Sequence, residues 1–276
     1  MDIGIKYGLA EARALAGERW QPLLLYTALG VVLPYVLLSS EPIFSLRNIL
    51  AILSDPWTNR VGGSIAGPLY LLAIVSAITA GAMLAAWNAI LLEMREGAIS
   101  EIMYGMVAGF AYLAATLFLY LVVGVVAALP VLLIDGALQW SEGPGAIVLE
   151  IYRLLLTLLG TWIGARFCLA GAIMGERGKL EPFSAFAESW RRTATAQWRL
   201  FGFYILYGLV FGMALGGLIV LHGVIIISNE PGALAESLIG FAWILLLGAY
   251  FICQLLIPAG FLRASQPGVA ASEVFA

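Results

Sequence analysis

The sequence predicts an all-α integral membrane protein that crosses its bilayer about six times as three helical hairpins, with interfacial amphipathic helices. Three observations predict it. Of 276 residues, 62% are hydrophobic and only 11% charged, against roughly 45–50% and about 25% in a soluble domain. Mean hydropathy is +0.97. Residues 20–40, 61–92, 102–134, 200–229 and 237–262 contain no Asp, Glu, Lys or Arg. Each is long enough to cross a hydrocarbon core about 30 Å thick, which takes about 20 helical residues. Barrel strands alternate apolar and polar over about ten residues. Runs such as LYLVVGVVAALPVLLI do not alternate, so helices are the membrane solution here.

The elements follow in chain order within a single membrane domain, 1–276. Residues 2–19 form a polar-to-amphipathic lead-in. Glu11, Arg13, Glu18 and Arg19 interrupt it, so it does not read as a cleavable signal. Spans are expected at about 20–40, 65–92, 106–134, 146–175, 200–227 and 237–262. The fourth carries Glu150, Arg153 and Arg166, yet it must cross for the flanking loops to alternate sides. Between the first two spans, residues 42–54 put Ile43, Leu46, Ile49, Leu50 and Leu53 on one face. That stretch is too short to span and is expected to lie in the outer interface. Pro34 is a possible kink in the first span.

Further lead-ins are expected at 95–106 and 181–198. In the second of the three, Ile99, Ile102, Met103 and Met106 recur at helical spacing, with Glu96 and Glu101 elsewhere. In the third, Phe183, Phe186, Trp190, Ala194 and Trp198 form a stripe, and Pro182 suits the first turn. Trp190, Arg191, Arg192, Trp198 and Arg199 are the candidate interfacial lipid contacts. Fragments GERWQPLLLY (17–26) and TAQWRLFGFY (195–204) share a Trp and a Tyr six residues later. The repeated lead-in and hairpin suggest an internal threefold arrangement.

Orientation follows from Lys and Arg near the span ends. Lys6, Arg13, Arg19, Arg95, Arg177, Lys179, Arg191, Arg192, Arg199 and Arg263 fall on one side, whereas loops 135–145 and 228–236 have none. Only Arg47 and Arg60 argue the other way. Both termini are expected in the cytoplasm.

Residues 176–204, ERGKLEPFSAFAESWRRTATAQWRLFGFY, resemble the membrane domain of glycerophosphoryl diester phosphodiesterases and its stand-alone relatives among bacterial six-span proteins. Gly178, Ser189, Trp190, Arg191 and Trp198 carry the resemblance, and the six-span layout extends it loosely over the chain. It implies a scaffold in a bacterial inner (plasma) membrane. It does not imply phosphodiesterase activity, because fused members add a soluble catalytic domain with His and acidic residues around a metal. This chain has one histidine, His222, in an apolar run.

Candidate chemistry is sparse. Arg166 lies well inside the fourth span, where a charge is costly and usually faces protein or water. It either marks an anion or headgroup site or snorkels to the boundary. Asn88 and Gln254 occupy the descending spans of the other two hairpins, and the three form a candidate intramembrane polar site. Glu150 and Arg153 suit a pair on one helix face. Gly208, Gly212 and Gly216 recur every fourth residue, as do Gly105–Gly109 and Gly160–Gly164. The first set is the candidate helix-packing face, within the bundle or against another subunit. Cys168 and Cys253 lack disulfide or metal spacing, and no nucleophile has a base beside it. No catalytic residue, cofactor, metal or nucleic acid is expected.

Two functions are carried forward. The leading expectation is a non-enzymatic accessory or scaffold subunit that binds another integral membrane protein or itself. The alternative is a transporter or lipid-handling protein recognising an anionic group, with membrane lipids as partners. An intramembrane enzyme is the poorest fit, because acid, base and nucleophile candidates do not converge.

Overall fold

The structure, a computed structural model, describes residues 4–39, 66–92, 97–138, 144–228 and 233–265. Within them are α1 (Ile5–Glu18), α2 (Trp20–Thr27), a π-helical turn (Ala28–Val32), α3 (Leu33–Ser39), α4 (Ala66–Leu91) and α5 (Ala98–Leu138). After these come α6 (Pro144–Phe167), α7 (Ala170–Arg177), α8 (Pro182–Arg192), α9 (Gln197–Ser228) and α10 (Ala233–Ala264). No strand occurs among the described residues, and six helical segments are long and apolar enough to cross a membrane. The expected surface helix at 42–54, together with Arg47, Arg60, Arg95 and Glu96, falls outside the described residues.

Pro34 bears on the first span as its chemistry requires. Proline has no N–H for the carbonyl four residues back, and Thr79 Oγ1 on α4 donates to the Gly30 carbonyl instead, at 3.2 Å. The π-helical turn immediately precedes Pro34.

The lead-ins divide into two types. Stretches 2–19 and 181–198 hold separate helices, α1 and α8, and Pro182 opens α8. The expected separate segment at 95–106 is instead the start of α5, a continuous helix of 41 residues. That helix is about 60 Å long at about 1.5 Å per residue. Neither Gly nor Pro interrupts residues 98–104. Its apolar stripe also faces the opposite way from a soluble protein's. Ile99 is 82% exposed and Met103 and Met106 point outward, whereas Glu101 is 1% exposed and accepts from Tyr26 Oη at 2.6 Å. In a bilayer the apolar face belongs outside and the polar group needs a protein partner.

Burial is concentrated at one end of the bundle, where α1 meets the last turns of α10. It holds residues 81–90 of α4, the early part of α5, α7 and residues 251–262 of α10. Glycines make that density possible. A Cβ at Gly105 would lie 2.6 Å from Ala85 Cβ, and one at Gly109 2.6 Å from Gly81 Cα. Gly171 and Gly175 give room to Trp87, whose Nε1 donates to the Leu255 carbonyl at 2.9 Å. Gly8 and Gly260 let α1 lie against α10. Toward the other end the packing stops: between Phe201 and Ile225 no residue of α9 is buried.

Candidate functional site

The fourth span is broken. α6 ends at Phe167 and α7 starts at Ala170, which frees backbone groups in mid-span that need partners. α8 supplies them from the side. Ser189 Oγ donates to the Arg166 carbonyl at 2.8 Å and accepts from the Leu169 N–H at 3.2 Å. Thr193 Oγ1 also donates to the Arg166 carbonyl, at 3.2 Å.

The Arg166 side chain sits in the same junction, only 4% exposed. Its Nη2 donates to the Trp190 carbonyl at 2.6 Å, and its Cζ lies 4.2 Å from the centre of the Trp190 ring. Its place in the last turn of α6 also suits a cation. Nε and Nη1 nevertheless have no hydrogen-bond partner. Among the described residues no carboxylate pairs with it. A buried charge with one carbonyl and one ring is thus only partly compensated.

Trp190 turns its other contacts toward a cavity of about 1060 Å³ enclosed by α5, α6, α9 and α10. That is the upper end of the range for small-molecule sites, about 300–1,000 Å³. Its lining runs from Tyr112 to Val123, Thr157 to Cys168, Tyr204 to Leu215 and Leu246 to Pro258, with Phe186 and Trp190 of α8 at one end. On each bundle helix this is about 17 Å at about 1.5 Å per residue. The wall is chiefly aromatic and aliphatic. The buried side-chain polar atoms without partners among the described residues are Thr116 Oγ1, Trp162 Nε1, Tyr204 Oη, and Arg166 Nε and Nη1. Thr116, Trp162 and Tyr204 line the cavity, and Arg166 stands behind Trp190. Tyr204 Oη has only the weakly accepting Cys168 sulfur beside it.

The candidate polar trio is not a cluster. Asn88 Nδ2 donates to the Gly175 carbonyl at 3.1 Å and ties α4 to α7. Gln254 lines the cavity. No hydrogen bond among the described residues joins either to Arg166, which binds the Trp190 carbonyl instead.

The lipid-contact candidates divide too. Trp198 is 69% exposed, and Arg191 and Arg199 are also exposed. Trp190 is turned inward, and Arg192 is tied to Glu188 at 2.6 Å and to Ser265 at 3.3 Å.

Gly208, Gly212 and Gly216 meet nothing: no atom lies within 4 Å of a Cβ added at any of them. The same holds for Gly160 and Gly164. Among the described residues nothing packs against these positions. Gly160, Gly164, Gly208 and Gly212 line the cavity instead. Glu150 and Arg153 pair at 2.7 Å on an exposed face. His222 Nδ1 accepts from Trp243 Nε1 at 3.2 Å, tying α9 to α10.

Outside the spans, Glu188 joins α7 to α8 by binding Arg177 and Arg192. Burial alone would raise its carboxyl. The Arg192 hydrogen bond and the two positive charges outweigh that and hold it below the usual carboxylate value.

Sequence reasoning did not single out Ser189 as a cap or Trp162 and Thr116 as cavity groups. Tyr204 did leave a signal, the Trp-to-Tyr spacing it shares with Trp20 and Tyr26. In the structure both tryptophans face outward and both tyrosine hydroxyls face inward. Comparison with known proteins finds no matching family model, curated protein or solved structure. The resemblance at 176–204 therefore rests on those residues alone.

Proposed function

We propose that this is a lipid-handling membrane protein that binds an amphiphile in the cavity between α5, α6, α9 and α10. One observation carries the proposal. Every buried side-chain polar atom left unpartnered among the described residues belongs to this cavity's lining or to the arginine behind it. Unmet buried donors are costly, about 1–3 kcal/mol each, and a ligand with acceptors removes that cost. An apolar wall with a few donors at one end suits a chain with a polar head. Gly164, Gly208 and Gly212 line the cavity and are exposed, with no side chain closing over them.

The accessory-subunit alternative has its own supporting observation. The empty glycine row Gly208, Gly212 and Gly216 offers backbone-close space to a helix of another membrane protein or of a second copy. Native mass spectrometry of the protein, gently extracted from the bacterial inner membrane expected to hold it, separates the two. Lipid handling predicts a retained amphiphile of defined mass on the chain. A stoichiometric second protein with no such mass favours the accessory subunit and counts against lipid handling.

A further inference from the structure

The two Trp-to-Tyr fragments give this cavity's ligand a chemistry. Tyr26 and Tyr204 hold equivalent places at the start of the first and fifth spans, six residues after an outward tryptophan. Tyr26 Oη donates to a buried carboxylate, Glu101, at 2.6 Å. Tyr204 Oη points into the bundle with no oxygen or nitrogen among the described residues to receive it, and the cavity begins there. Resting on the lipid-handling proposal above, we infer that the cavity takes a long-chain carboxylate. Its head lies beside Tyr204 as Glu101 lies beside Tyr26, and its chain runs along α6 and α9.

Charge and hydrogen-bond capacity both agree with that class. Arg166, behind Trp190, is a buried cation with no carboxylate partner among the described residues, and no Lys or Arg lines the cavity itself. A singly charged head neutralises it, whereas a doubly charged phosphate leaves a net negative charge in the bilayer. A carboxylate offers about four acceptor sites and donates nothing. The unmet groups at this end, Trp162 Nε1, Tyr204 Oη and the Arg166 nitrogens, are all donors. Length agrees as well: the cavity extends about 17 Å along its helices, close to one leaflet of a hydrocarbon core about 30 Å thick. α8 closes the head end with Phe186 and Trp190.

The test uses the full chain in phosphatidylcholine nanodiscs at about pH 8, where a carboxylate is ionised. The probes are dibromostearate and the matching dibromostearyl alcohol, read by bromine quenching of tryptophan fluorescence, since Trp162 and Trp190 line the site. The carboxylate is expected to quench saturably at a concentration about tenfold or more below the alcohol, the size of one charge-assisted hydrogen bond. Tyr204→Phe removes a hydroxyl with no oxygen or nitrogen partner, so it folds, and it is expected to close most of that gap. Gly212→Leu fills the cavity and abolishes saturable quenching by both probes. Equal quenching by both probes in the wild type, lost in Gly212→Leu, overturns the carboxylate and leaves the lipid-handling proposal standing. Quenching that Gly212→Leu does not change overturns both. A gap that survives in Tyr204→Phe overturns the assigned place of the head.

Discussion

Gly105 and Gly109, which meet Gly81 at one end of the bundle, and the pairs Gly160–Gly164 and Gly208–Gly212 toward the other share a four-residue spacing and have opposite surroundings. The first three are pressed against one another's backbones, so α4 and α5 meet backbone to backbone with only the Ala85 methyl beside the contact. The second group meets nothing within 4 Å of an added Cβ. In the first seam the missing side chains let two helices touch. In the second the same absence makes room, and aromatic rings with unmet donors surround it. Small residues every fourth position therefore state that space is required. They do not state whether backbone or ligand fills it.

Substitutions that add volume in each region break or sharpen this contrast. Gly105→Leu is expected to have the largest effect, because its Cβ would already lie 2.6 Å from Ala85 Cβ and 2.9 Å from the Ala85 nitrogen. Overpacking of this kind costs about 1–3 kcal/mol or more, and the backbone on one side cannot yield. Size-exclusion of the detergent-extracted protein should show loss of the monodisperse peak.

Ser189→Ala comes next. It removes the donor to the Arg166 carbonyl and the acceptor of the Leu169 N–H, about 1–3 kcal/mol for buried groups left unpaired. Thermal unfolding in detergent should fall accordingly. Asn88→Ala loses one interhelical bond to the Gly175 carbonyl, worth about 0.6–2 kcal/mol. It should shift the same transition by less.

Acid acts at the α7–α8 joint. The Glu188 carboxyl is held below its unfolded value by Arg192 and Arg177. Its contribution is therefore present above the unfolded pKa, about 4.3, and is lost as pH falls through the lower folded value. A pH series of unfolding temperatures should decline in that acid window for the wild type, and less steeply for Glu188→Gln. The smallest effect on stability belongs to Gly164→Leu and Gly212→Leu, within about 0.5 kcal/mol as for an unpacked surface. Loss of a retained amphiphile by native mass spectrometry is the expected result for both.

The spans were legible because each is a long run without charge, a property of the local sequence. Pro182 at the start of α8 and the Glu150–Arg153 pair were legible for the same reason. The break after Phe167 was not. Residues 167–169 are Phe, Cys and Leu, with neither Gly nor Pro to mark it. The groups that sustain it, Ser189 and Thr193, arrive from another helix. The partner of Glu101 was not legible, because Tyr26 is 75 residues away. The cavity was invisible for a related reason. Glycine spacing sets which residues share a face, whereas the space in front of that face depends on every other contact in the bundle.

The most direct measurement is an electron cryomicroscopy map of the full chain in nanodiscs made with its native lipids. The account predicts an elongated density about 17 Å long in the cavity among α5, α6, α9 and α10, one end against Trp162 and Tyr204, with Gly164 and Gly212 beside its length. Direct contact between α6 and α9 through Gly164 and Gly212, or a protein helix lying in the groove, would contradict it.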